Sequence, residues 1–435
     1  MSHRPIRVCI ISVHSYPAIN PRAPGLIGGM ETISWGFARE MARLPDTEVS
    51  FVVTHRMAPR RSCIDGVTII EATEQIEWYR QDISVALKDW RKSRKVPWGK
   101  LVGLLGKLLA WGITRPIRSA GHLRWQTPSK ILMEINADIY VAYGVNQQAE
   151  WAKISAKSLR RPFVLCLMSD ADIDQRFRDD PQFVNPYGVT SALATRLISQ
   201  TDGVVSQTLH QQRLLRDIWR QDSIIVSNPL DLIAWDQDML QPPPAETPEK
   251  PFVLWVGRAD RFHKRPLEML RVINANPQFR FLMVLNPADD DVLDEVKHAA
   301  GPNLTILPQV SPRQMATLMS AAAVFASTGS VAYEGLPAVL LQAAASATPI
   351  VSLEASAEWL EASGAGICAR GDRDLFAETV ARFVRERESP EVQKYGLAGR
   401  SFVAREHNAS QQSMTMLKYL RQIVDAPASR ESRAL

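Results

Sequence analysis

Residues 7–12 are a short, apolar, β-branched run, which reads as a buried strand. A polar loop over 13–24 and the pair Gly28-Gly29 follow. From 31 to 44 the period changes. Ile33, Phe37, Met41 and Leu44 recur at spacings of four and three, which is one face of a helix. A second apolar run at 49–54 completes strand, glycine loop, helix, strand, the rhythm of a parallel βαβ unit.

The rhythm repeats. Strand-like runs stand at 138–142, 163–167, 203–205 and 224–226, and a second series at 252–256, 281–285, 304–307, 324–326, 349–352 and 366–368, with helical patterns between most of them. Between the series, 236–251 carries Pro242-Pro243-Pro244, Pro248 and mixed charge, the composition of a linker. The pattern predicts an α/β protein of two doubly wound, Rossmann-like domains facing across a cleft. The expected boundaries are 1–235 for the first domain, 236–251 for the linker, 252–410 for the second domain and 411–435 for a last helix and tail. Ligands of such sheets bind outside the carboxyl ends of the strands.

A chain of 435 residues with 46% hydrophobic and 22% charged residues is ordinary globular material, long enough for two cores. The four cysteines, Cys9, Cys63, Cys166 and Cys368, are far apart and form no CxxC pair, which argues against a disulfide framework or a zinc site. No secretory leader and no spanning helix are expected, and a reducing cytosol fits. The net charge of +5 matters only where the excess is clustered.

Three segments carry candidate chemistry. In the first, Trp255-Val256-Gly257-Arg258 ends a strand and Phe262-His263-Lys264-Arg265 precedes a helix. Arg offers a planar fork to phosphate oxygens and Lys a point charge, so Arg258 and Lys264 on one loop suit a diphosphate. Both would also stabilise the charge gained by a diphosphate leaving group. A solvated basic loop accounts for the pair equally well. The second segment is Tyr333 to Gln342. Pro337 stands where a helix tolerates it, and the free N–H groups of Ala338 and Val339 with the helix dipole make an anion site. Glu334 is placed for sugar hydroxyls and Gln342 for a ribose; alternatively Glu334 caps the helix and Gln342 faces solvent. In the third, Ala343-Ala344-Ala345 and Pro349-Ile350-Val351 read as a tightly packed helix end and the next strand, fixing the register of Gln342.

Gly257-Arg258 with Lys264, the segment from Glu334 to Gln342, and the Ala-rich helix before Pro-Ile-Val together resemble the nucleotide-binding domain of GT-B glycosyltransferases, and within them glycosyltransferase family 4, the group 1 sugar transferases. Gly28-Gly29-Met30-Glu31 resembles that family's N-terminal glycine loop near the donor phosphates. Ser206 and Asn228-Pro229-Leu230-Asp231 resemble the end of its first domain. The helix at about 414–424 resembles the one that crosses back over the first domain. The likeness is weakest over 74–126. It implies a nucleotide-diphosphate sugar as donor substrate, no separate cofactor and no metal. It also implies Arg258 and Lys264 on the diphosphate, Glu334 on the donor sugar, retention of anomeric configuration, and donor contacts from Gly28, Gly29, Gly257, Gly335, Leu336, Pro337, Ala338, Val339 and Gln342. There are departures. Gln342 stands where the family usually has a second Glu. The family's frequent His after the strand at 163–167 is replaced by Met168-Ser169-Asp170-Ala171-Asp172, where Asp170 is the candidate to stand near the anomeric carbon. Asn286-Pro287-Ala288-Asp289 replaces a glycine-rich turn.

Residues 88–124 hold ten Lys and Arg against Asp89 alone, interleaved with Trp90, Trp98, Trp111 and leucines. Leu101, Leu104, Leu105 and Leu108 share a helical face with Lys100 and Lys107 at its edge, the composition of an interfacial helix on an anionic membrane. A core helix with a basic flank is the alternative, and nothing else supports nucleic acid. A membrane-surface helix implies a cytoplasmic enzyme, peripheral on the inner membrane face, with a glycan or lipid-linked acceptor in polysaccharide or glycolipid synthesis. Rival readings are a metal-binding Asp170-x-Asp172 transferase, a sugar-nucleotide epimerase and a non-catalytic nucleotide-sugar-binding scaffold.

Overall fold

Fourteen strands are seen in the computed structural model, which describes residues 4–25, 27–73 and 127–426. The first sheet runs β3-β4-β2-β1-β5-β6-β7-β8 and the second β11-β10-β9-β12-β13-β14. In the first, β1 is Ile6–Ile11, β2 Thr47–Val53, β3 Arg61–Ile64, β4 Val67–Glu71, β5 Ile139–Tyr143, β6 Phe163–Cys166, β7 Gly203–Ser206 and β8 Ile224–Ile225. In the second, β9 is Phe252–Arg258, β10 Arg280–Asn286, β11 Leu304–Leu307, β12 Val324–Ser327, β13 Ile350–Ser352 and β14 Gly366–Cys368. Every pairing is parallel except β3 with β4.

The strands read as unbroken apolar runs because helices cover both faces of each sheet. Along β1, Cys9 and Ile11 enter one core and Val8 and Ile10 the other. Along β9, Val253 and Trp255 face one core, and Phe252, Leu254 and Val256 the other. Strand order reverses between β1 and β5 and between β9 and β12. These switch points open a crevice at the carboxyl ends of the strands.

The helix read from the 31–44 pattern spans Gly29–Ala42 and buries Ile33, Phe37 and Met41. The hairpin of β3 and β4 has no counterpart in the sequence reading. Its turn is Asp65-Gly66, both at positive φ (50° and 81°), the geometry that an Asp-Gly pair favours in a hairpin.

The expected linker also starts inside structure. A helix over Leu232–Met239 buries Trp235 in the second domain's core. The Trp235 indole donates to Ser346 Oγ at 2.9 Å, and Arg400 clasps Asp236 with two bonds of 2.7 Å. The chain returns at His407. The last helix, Ala409–Asp425, puts Met416, Leu417 and Leu420 into the first domain's core. The two crossings touch: Leu230 N donates to His407 O at 2.9 Å, and the buried His407 ring bonds Asn228 O at 2.8 Å. Among the described residues, no helix is long and apolar enough to cross a membrane. The membrane-surface expectation at Trp98, Lys100, Lys107 and Trp111 lies outside the described residues.

Candidate active site

The loop after β9 is built to hold two cations in place. Asp260 Oδ1 accepts the backbone N–H groups of His263 (2.6 Å) and Lys264 (3.0 Å), tightening the loop into a turn. Thr328, just after β12, donates to Lys264 O at 2.7 Å and accepts the Trp255 indole N–H at 2.9 Å. Ser330 N donates to His263 O at 2.9 Å. The β9 and β12 loops are therefore tied to each other. Gly257 is required where Lys264 crosses the strand end, since a Cβ there would stand 2.9 Å from Lys264 Cβ and 2.6 Å from the Trp255 ring.

Glu334, 6% exposed, receives the Lys264 ammonium on Oε1 and has His263 Nε2 3.0 Å from Oε2. Burial alone would push its carboxyl up, but Lys264 and His263 outweigh burial and hold it down at about 2. Glu334 is thus a fixed anion and does not cap the helix Ala338–Ala345, whose N-cap is Pro337. Arg258 is half-exposed; its Nε lies 3.5 Å from Asp260 Oδ2 and its Nη2 2.7 Å from His263 Nδ1.

These groups line one wall of a cleft of about 790 Å³ between the domains. On that wall stand Gly257, Arg258, His263, Lys264, Glu334, Leu336, Pro337, Ala338, Val339 and Gln342; Gly28 and Gly29 stand opposite. Gly29 begins the helix Gly29–Ala42, and a Cβ built on it would lie 3.5 Å from Ala338 Cβ. Two helix N-termini, one from each domain, therefore meet at the cleft beside Arg258 and Lys264. The arrangement suits a ligand with a doubly charged head.

Gly335 lies behind the wall. A Cβ there would meet Gln211 Nε2 at 2.5 Å and Gln207 Oε1 at 2.9 Å, both from the first domain. Leu336 is pinned on both sides: its N–H donates to Gln207 Oε1 and its carbonyl accepts from Asn228 Nδ2, each at 3.2 Å.

Asp170 departs from expectation. It does not line the cleft; it sits against His210 (3.6 Å) and Gln211, with Oδ1 buried and unpartnered. Burial, with Asp172, Glu334 and Glu358 nearby, pushes its carboxyl up to about 7 against the pull of Gln211. Asp172 accepts N–H groups from Val145 (2.9 Å), Met168 (2.7 Å) and Ser169 (3.1 Å). Asp170 and Asp172 therefore face apart, and do not form a paired Asp-x-Asp clamp. Among the described residues, no group of three His, Cys, Asp or Glu has metal-holding geometry.

The family "Glycosyl transferases group 1" matches this chain over residues 250–386. The second domain is a group 1 glycosyl transferase domain. Across both domains the chain has the GT-B fold. Sucrose-phosphate synthase from Thermosynechococcus elongatus superimposes with a TM-score of 0.65 at 16% identity, covering 96% of this chain and 99% of that one. A glycosyltransferase from Rickettsia africae gives 0.64 at 11%, covering 97% and 100%. The catalytic domain of starch synthase IV from Arabidopsis thaliana, bound to ADP and acarbose, gives 0.61 at 10%, covering 98% and 100%. No curated protein matches by sequence.

Sequence reasoning gave no role to His263, Asp260 or Tyr187. His263 was visible beside Lys264. Its partners, however, are Arg258, Glu334 and Tyr187, two of them more than seventy positions away, where no local pattern points to them.

Proposed function

We propose that this GT-B glycosyltransferase moves a sugar from a nucleoside-diphosphate sugar, held by the second domain, to a glycan or lipid-linked acceptor on the first. One observation carries the reading: Arg258, Lys264 and the N-terminus of Ala338–Ala345 converge on one cleft wall, with the buried, charged Glu334 behind Lys264. The ADP in the starch synthase is a nucleoside diphosphate in a chain of the same fold.

In this reading the β-phosphate lies against Arg258 and Lys264, Glu334 accepts sugar hydroxyls, and Gln342 bonds the ribose. The bond from the anomeric carbon to the β-phosphate oxygen breaks, and one to the acceptor oxygen forms on the same face. The acceptor's proton passes to the departing phosphate oxygen, so configuration is retained. Two side-chain cations and a helix dipole supply the charge the leaving group needs, and the proposal requires neither cofactor nor divalent metal. Peripheral attachment to the inner membrane face and a role in polysaccharide or glycolipid synthesis belong to the same proposal and rest on the composition of 88–124.

Proton NMR of the product tests the stereochemistry. An anomeric signal of the donor's configuration is expected; the opposite configuration would reject same-face transfer.

A further inference from the structure

His263 joins three groups of the site. Its Nδ1 is 2.7 Å from Arg258 Nη2 and 2.9 Å from the hydroxyl of Tyr187; its Nε2 is 3.0 Å from Glu334 Oε2. A guanidinium only donates, so the one lone pair of Nδ1 accepts from Arg258 and is shared with the Tyr187 hydroxyl. The ring N–H then belongs on Nε2, which is buried 3.0 Å from Glu334 Oε2 without completing a hydrogen bond. Lys264 holds Oε1 of the same carboxylate, and the His263 ring edge lies against Oε2. The main chain of His263 is fixed at both ends, by Asp260 and by Ser330. What orients the ring is therefore its side-chain partners.

One partner belongs to the other domain. Tyr187 lies in the first-domain loop between β6 and β7. Asn185 Oδ1 shapes that loop by accepting the N–H groups of Tyr187 and Val189, each at 3.0 Å. The Tyr187 ring stands edge-on to Tyr333 (6.3 Å, 89°) and to His263 (6.2 Å, 77°).

We propose that His263 is a positioning residue for the donor site, and that Tyr187 is the first-domain group that locks it. On Nδ1 the ring sets Arg258 for the diphosphate; its Nε2 edge stands beside Glu334, which Lys264 holds for the sugar. Drawing the domains apart removes the Tyr187 hydroxyl, leaves the ring to Arg258 and Glu334 alone, and so loosens the guanidinium. Domain closure is thereby communicated to the donor-binding side chains before any substrate group spans the cleft. The inference deepens the donor-site reading and rests on it.

Two measurements test it. The first is 15N NMR of the histidine rings of the full chain, with His263→Gln identifying the signal. The expected signal has Nε2 protonated and Nδ1 bare, and Tyr187→Phe shifts it. A proton on Nδ1, or a signal indifferent to Tyr187→Phe, overturns the proposal.

The second is calorimetric binding of UDP, GDP and ADP. Losing a pre-set Arg258 should weaken binding of the preferred nucleotide about tenfold in His263→Ala. His263→Asn, whose Oδ1 replaces the Nδ1 acceptor, should stay within about threefold of the parent. Tyr187→Phe should cost about threefold alone and nothing further on top of His263→Ala, because coupled groups are non-additive. Equal loss in the Ala and Asn variants, or additive losses, would show that His263 serves packing only. If the parent protein binds none of the three nucleotides, the donor-site reading itself fails, while the NMR result still decides the ring geometry.

Discussion

Lys264 and Glu334 share one buried contact, and that contact sets how each can be tested. Removing the ammonium alone leaves a carboxylate buried without its counter-charge, which costs about 3–5 kcal/mol in comparable cases. Lys264→Ala should therefore lose stability as well as about 2–4 kcal/mol of transition-state stabilisation. Adding Glu334→Gln should restore most of the stability in urea titrations and none of the turnover; recovery of both would remove Lys264 from the chemistry. Asp170 makes the opposite case. Its carboxyl, near 3.8 when unfolded, is raised to about 7 by burial, so it adds no cost below pH 3.8 and destabilises the fold progressively as pH rises through 7. Relative to Asp170→Asn, the parent should lose on the order of 3–4 kcal/mol between pH 4 and pH 8 in denaturant titrations. A pH-independent difference would contradict the buried position. At this scale the sequence revealed the cations and Glu334, because strand end, loop and helix start are local patterns. The facing of Asp170 was not legible, since one residue's rotation in a short 3-10 turn decides it.

The parallel strands of both sheets follow from apolar runs of strand length separated by helical periods. The hairpin of β3 and β4 escaped because β3 is four residues long, opens on polar Arg61-Ser62 and is exposed at alternate positions, and β4 is a five-residue run interrupted by Thr68 and closed by Glu71, although Asp65-Gly66 was its signature. The helix Leu232–Met239 escaped because the prolines after it dominate the composition, while the residue that anchors it, Trp235, is decided by tertiary packing. The two domain crossings meet at His407, whose burial pulls its imidazole down to about 4. Its stabilising, uncharged state is fully present above pH 6.5 and is lost as pH falls through 4. Compared with His407→Gln, the parent should lose roughly 2–3 kcal/mol between pH 7 and pH 4. Parallel pH profiles would show that the crossing does not depend on this ring.

At the scale of the whole molecule, the two domains of the GT-B fold are proposed to close on a nucleoside diphosphate. Across the cleft, Leu336 reaches Gln207 and Asn228, Gly29 meets Ala338, and Tyr187 meets His263. None of these pairings has a sequence pattern, since each joins residues more than a hundred positions apart or on loops without period; only the existence of a cleft was legible. Arg258 is the most direct probe of the donor site, because it is half-exposed; its replacement also takes a cation from Asp260 Oδ2, 3.5 Å away, so each protein is compared with its own nucleotide-free state. The decisive measurement is thermal unfolding with UDP, GDP and ADP, in the parent and in Arg258→Gln. At about 100 times Kd, the matching nucleotide should add about 2.7 kcal/mol of stability to the parent. The account predicts that stabilisation for one base, and its loss in Arg258→Gln. No stabilisation by any of the three, or an equal effect in both proteins, would contradict it.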